Sequence, residues 1–152
     1  GTKEGRNVFR DDVRRVPMAH QMPSIDTWLA EAKNDPSFRS CGMYLIHNGT
    51  VRETPKAQVR ACETDGVEAG RKVGGMTFSY DRDKVEAALA AAREMPGIGY
   101  VRAWLNEGEL SVGDDIMLVL IGGDIRPRVI DALQTLVGTL KNECVTEIER
   151  PA

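Results

Sequence analysis

The stretch Gly108-Glu-Leu-Ser-Val-Gly-Asp-Asp-Ile-Met-Leu-Val-Leu-Ile121-Gly-Gly-Asp-Ile-Arg-Pro-Arg128 decides the fold. Its centre, Asp115 to Ile121, is an almost unbroken apolar run of strand length, the pattern of a strand covered on both faces in the middle of a sheet. Glu107 to Asp114 reads as a connection into that strand, and Gly122-Gly123 closes it. A helix follows, with Val129, Ile130, Leu133, Leu136, Val137 and Leu140 on one stripe, Asp124 as its cap and Pro127 in its first turn. Its expected end is about Asn142.

Outward from that centre, Ile98 to Asn106 alternates as a strand, and before it Val85, Ala88, Leu89 and Ala92 line a helix capped by Asp81 and ended by Met95-Pro96-Gly97. Lys72 to Tyr80 is a further strand, in which Gly74-Gly75 signals a bulge. Pro55 to Arg71 is polar and weakly patterned, a loop with one short strand near Val59. Gly42 to His47 and Thr50 to Arg52 are strands on either side of Asn48-Gly49, which fits either a tight hairpin or one bulged strand. Ile25, Trp28, Leu29 and Ala32 make a first amphipathic helix, with Ser24 as N-cap and Pro36 as stop. Helix, strands, helix, strands, helix is not a regular βαβ alternation, so the fold class is α+β, a mainly antiparallel sheet packed with about three helices. Residues 1–23 read as a flexible charged N-terminal arm and residues 24–152 as a single domain.

With 152 residues, 41% hydrophobic, 28% charged and net charge −3, the chain can bury a core without staples, which excludes disordered and disulfide-scaffold classes. The acidic balance speaks against nucleic acid as a partner, and no apolar run is long enough to span a membrane. Arg14-Arg15 lacks the apolar stretch of an export signal. Three widely spaced cysteines, Cys41, Cys62 and Cys144, with no Cys-x-x-Cys or zinc-ligand spacing, fit a reducing cytoplasm and no metal. Gly70 to Gly75 matches neither a P-loop nor a dinucleotide turn.

Four positions bear on chemistry. Arg126 and Arg128 flank Pro127 at a helix start, where free backbone N–H groups favour an anion and Asp124 opposes one. Lys141, at the end of the same helix, is either a cation complementing the helix dipole or a partly buried amine able to act as a nucleophile. Arg52 is a phosphate clamp or an edge-strand charge. Cys144, three residues from Lys141, is a small buried thiol or an activated one. His20 and His47 have no spacing that builds a hydrolytic triad.

Taken together, these segments resemble the MoaE family, the large catalytic subunit of molybdopterin synthase. Gly42-Met-Tyr-Leu-Ile-His-Asn-Gly-Thr-Val-Arg52 looks like the family's "GA…F.G.VR" strand, Gly108-Glu-Leu-Ser-Val-Gly-Asp114 like its "GEL.VGD" turn, and Thr139-Leu-Lys141 like its "D.LK". Phe78-Ser79-Tyr80 leads into an Ala- and Glu-rich helix, as in the family. The resemblance implies an α/β-hammerhead-like fold and a cytoplasmic sulfurtransferase of molybdenum cofactor biosynthesis. In such an enzyme a small ubiquitin-like sulfur-carrier subunit (MoaD-like) inserts a C-terminal Gly-Gly thiocarboxylate into the large subunit. Two such sulfurs pass to a pterin phosphate substrate, cyclic pyranopterin monophosphate, and no metal or organic cofactor takes part.

Carried over by position, Lys141 is the catalytic amine, while Arg52 and Arg126, the latter of the family's His-Arg pair, are substrate-binding, with Arg128 beside them. Arg126 and Lys141 are separated by roughly 22 Å of helix, so a shared pocket implies a homodimer, and with two small subunits a heterotetramer. Two family positions differ: Ile125 replaces the histidine, and Ile148 replaces a second lysine seven residues after Lys141. These differences leave open a non-catalytic MoaE-like module that binds a pterin phosphate or a sulfur-carrier tail.

Overall fold

The computed structural model describes residues 19–56 and 72–152. The expected short strand near Val59 and most of the N-terminal arm lie outside the described residues. In chain order come α1 (Ile25–Asn34), a 3-10 turn (Pro36–Ser40), β1 (Met43–Thr50), β2 (Val73–Tyr80), α2 (Arg82–Arg93), β3 (Ile98–Leu105), β4 (Gly108–Ser111), β5 (Asp115–Gly123), α3 (Arg126–Thr139), a π-helical turn (Leu140–Cys144) and β6 (Val145–Pro151). The fold is α+β with antiparallel pairing, as expected, but the strands form two three-stranded sheets, ordered β1-β5-β3 and β4-β2-β6.

β5 is the central strand of its sheet and is buried on both faces. Met117, Val119 and Ile121 face the main core with α2, α3 and the second sheet, where Phe78, Leu110, Leu136 and Leu140 pack. Leu118 and Leu120 face the other way, against Trp28 and Ala32 of α1. Two covered faces account for the unbroken apolar run. Ser24 and Asp81 cap α1 and α2 as expected, accepting from the Thr27 and Lys84 backbone N–H groups.

Of the two readings of Asn48-Gly49, the structure shows the single bulged strand: β1 runs through it, with an irregularity at Gly49/Thr50. Neither residue takes the positive φ that a two-residue turn demands, and the Asn48 amide instead donates across the sheet to Asp115 Oδ1 and the Met117 carbonyl. Three expectations are corrected. The connection 107–114 contains β4, which pairs with β2. Gly122 and Gly123 continue β5 instead of closing it, because the chain packs too closely for side chains there: a Cβ on Gly122 would lie 2.6 Å from the Tyr44 ring, and one on Gly123 2.7 Å from the Gly97 carbonyl. Finally, α3 stops at Thr139 and starts on Ile125, which provides no side-chain cap. Asp124 instead accepts from the Ile125 N–H at 2.6 Å and from Arg128 at 2.8 Å.

Candidate functional site

The turn between β4 and β5 places the first cation. Gly113 takes φ +93°, which glycine alone adopts without strain, and this lets its N–H donate to the Val51 carbonyl at 2.9 Å. Val51 N–H in turn donates to the Asp114 carbonyl at 3.0 Å, and Asp114 Oδ2 accepts from Ser111 N–H at 2.8 Å. The chain leaving β1 is thereby clamped, and Arg52 emerges beside the end of the sheet. Its Nε lies 3.5 Å from the Thr54 carbonyl, the outer limit of a hydrogen bond.

The π-helical turn places the second. By widening the last turn after α3 it buries Leu140 and Cys144 and leaves Lys141 half-buried between the end of the helix and β6. Arg52 and Lys141 meet in one shallow cleft of about 50 Å³ with Lys56, Glu147 and Glu149, floored by Met76 and Ile116. The Lys141 ammonium is 3.2 Å from Glu147 Oε2, and the Lys56 ammonium is 3.3 Å from Glu147 Oε1. The Lys56 backbone N–H also donates to Glu149 Oε2 at 2.9 Å. Three cations against two carboxylates, in a partly desolvated recess, favour an anionic guest.

His47 lies on the same face of β1 as Met43 and Leu45, which pack on the main core. Its Nε2 is buried and finds no hydrogen-bond partner among the described residues. Burial, and secondarily the nearby Lys141 charge, holds its pKa below the usual histidine range, so the imidazole is kept neutral. Cys144 is not the activated thiol that its proximity to Lys141 allowed. Burial first, then the Glu143 charge, pushes its pKa up, with Lys84 opposing.

Arg126 and Arg128 are exposed at the opposite end of α3 from Lys141. Arg128 is engaged by Asp124 across one helical turn. Within one chain, therefore, the structure brings Arg52 and Lys141 together and keeps the other two away. Glu147, Glu149 and His47 are the neighbours that spacing did not single out. Strand alternation through Val145, Glu147 and Glu149 carries the signal for the two glutamates, since it sets both on one face of β6.

A larger hollow, about 350 Å³, lies between α2 and the end of β3, lined by Arg82, Glu86, Leu89, Trp104 and Glu107. It contains none of the residues expected to carry chemistry. The smaller cleft is the better candidate because Lys56 and Lys141 converge there on Glu147. Among the described residues no group of histidine, cysteine and acidic side chains has the arrangement of a metal site, and no helix is long and apolar enough to cross a membrane.

The model of the MoaE protein family matches residues 18–143. The chain belongs to the MoaE family. Among solved structures it is similar to the molybdopterin synthase of Staphylococcus aureus, at 16% identity and TM-score 0.64, over 87% of this chain and 88% of that one. It is also similar to the molybdopterin biosynthesis MoaE protein of Burkholderia ambifaria, at 16% identity and TM-score 0.61, over 88% and 86%. A third similarity is to the complex of subunits 1 and 2 of molybdopterin-converting factor from Helicobacter pylori, at 14% identity and TM-score 0.55, over 85% and 80%. At these identities the structures speak for the fold. No curated protein matches the chain in sequence. This MoaE-family chain thus holds Arg52 and Lys141 in one cleft, and carries isoleucine at positions 125 and 148.

Proposed function

We propose that this chain is the large subunit of a molybdopterin synthase acting in molybdenum cofactor biosynthesis in the cytoplasm. It transfers sulfur from a thiocarboxylated small subunit to cyclic pyranopterin monophosphate. The observation that carries the reading is the convergence of Arg52 and Lys141 in one cationic cleft on a MoaE-family chain. The H. pylori neighbour, a complex of two subunits, supports a small-subunit partner. In this reading Lys141 is the amine beside the thiocarboxylate, and Arg52 steadies negative charge on the substrate. Arg126 and Arg128 sit a helix length away, so their contribution comes from the second protomer of a homodimer.

Single-turnover conversion of cyclic pyranopterin monophosphate with thiocarboxylated small subunit tests this. Wild type converts, and Lys141→Ala slows conversion by about a hundredfold or more, as loss of a group acting on the reacting atoms does. Ile125, exposed where the family pattern has histidine, favours a second reading, a module that binds a carrier tail or pterin phosphate without turnover. Complex formation without conversion by wild type would select it.

A further inference from the structure

Lys56 belongs to a polar segment whose sequence has no pattern, yet the structure fixes it twice to β6. Its backbone N–H is held by Glu149, and its ammonium by Glu147. Lys141 holds the other oxygen of that same Glu147 carboxylate. Two ammonium groups from segments far apart in sequence therefore converge on one carboxylate whose side chain is 12% exposed. Like charges this close in a recess repel unless an anion lies between them, and Glu147 is that anion here. Ile148, at the position of the missing lysine, is 56% exposed on the other face of the strand, so it is not where a second amine would reach the cleft.

Resting on the synthase reading above, we propose that Lys56 is the second ammonium of this site, that Lys56 and Lys141 together seat the C-terminal carboxylate-class group of a partner chain, and that Glu147 occupies this seat until the partner arrives. The class follows from the geometry. One lysine engages each oxygen of a planar carboxylate, and a carboxylate or thiocarboxylate presents the same two acceptor atoms to the same two donors. Arg52 at the rim adds a third cation, and Glu149 keeps Lys56 in place while Glu147 turns away.

The test uses the full chain and a synthetic peptide ending in Gly-Gly, with either a free C-terminal carboxylate or a C-terminal amide, titrated by calorimetry. Wild type prefers the carboxylate by about tenfold or more. Lys56→Ala and Lys141→Ala each lose about tenfold or more, the loss expected for one charge-assisted hydrogen bond, while Lys56→Arg stays within about threefold of wild type. Glu147→Gln binds several-fold tighter, since an amide is a weak competitor for two ammonium groups. Unchanged melting temperatures confirm that each variant is folded. Equal binding of the two peptides by wild type, wild-type affinity in Lys56→Ala, weaker binding in Glu147→Gln, or inorganic phosphate binding more tightly than the carboxylate peptide would each overturn the proposal. Peptide binding with the expected dependence but no sulfur transfer would instead overturn the synthase reading and leave the lysine pair standing.

Discussion

Glu147 and Ile148 are adjacent on β6 and face opposite sides of its sheet: Glu147 bridges Lys56 and Lys141, and Ile148 sits beside Thr77 on the outer face. The count of seven residues from Lys141 therefore does not lead into the cleft. Arg150, the nearest cation to Ile148 in the chain, has the same outward placement, tied to Glu109 and to the Leu110 carbonyl.

Restoring lysine at that position is consequently expected to restore nothing. Ile148→Lys places its ammonium in solvent across from Thr77, so single-turnover sulfur transfer stays within about twofold of wild type, in the range of a surface substitution. A gain of tenfold or more would mean that β6 shifts its register by one residue when the site is loaded.

The separation of Arg126 from Lys141 along α3 makes a second prediction, about assembly. Chains carrying Arg126→Ala or Lys141→Ala are each expected to be inactive alone. Co-refolded in equal amounts, half the dimers are mixed, and each mixed dimer holds one site built from the intact Arg126 of one protomer and the intact Lys141 of the other. Activity therefore returns to about a quarter of wild type. No recovery, in mixtures shown by mass to contain mixed dimers, would mean that the arginine end of α3 serves no shared pocket.

His47 gives a pH dependence of known sign. Its native pKa is lowered by burial and then by Lys141, so around pH 6 the unfolded chain binds more protons there than the native one. The contribution to stability is fully present above pH ~6.5 and is lost as pH falls from there through the lower native value. Denaturant titrations at pH 7.5 and 5.5 should show wild type losing more stability on acidification than His47→Phe. The half-exposed ring keeps part of its hydration, so the difference stays below the ~1.4 kcal/mol per pH unit of a single proton. Equal losses in the two chains would show that the imidazole titrates normally.

The fold was legible because its decisive signals are local. The apolar run of β5, the caps at Ser24 and Asp81 and the glycine turn before β5 each act over a few residues. The site was legible in half. Arg52 and Lys141 stand out by position, but Lys56 is fixed in the cleft by contacts with Glu147 and Glu149, 91 and 93 residues away in sequence. Asn48-Gly49 left a hairpin and a bulged strand open because a dipeptide's local preference for a turn is settled only by cross-strand bonds, here those from Asn48 to β5.

Asn106 carries the clearest stability prediction. It is 1% exposed, and its amide is fully used: Oδ1 accepts from the backbone N–H groups of His20 and Glu107 at 2.7 and 2.9 Å, and Nδ2 donates to the His20 and Asp115 carbonyls at 3.0 and 2.9 Å. One side chain thus ties the segment entering α1 to the turn after β3 and the start of β5. Asn106→Ala strands several backbone groups in a buried place, each costing about 1–3 kcal/mol where water cannot reach it. Partial hydration around half-buried Glu107 and exposed His20 reduces the sum, and about 3 kcal/mol is expected. That lowers the melting temperature by roughly 6–12 °C for a domain of this size. Asn106→Asp keeps both acceptor bonds but turns a carboxylate oxygen toward two carbonyls, so it should be at least as damaging at neutral pH and recover partly on acidification, when a protonated acid can donate one bond. A melting temperature within about 2 °C of wild type for both variants would show that the segment at His20 is held by packing of Met22 and Ile25 instead.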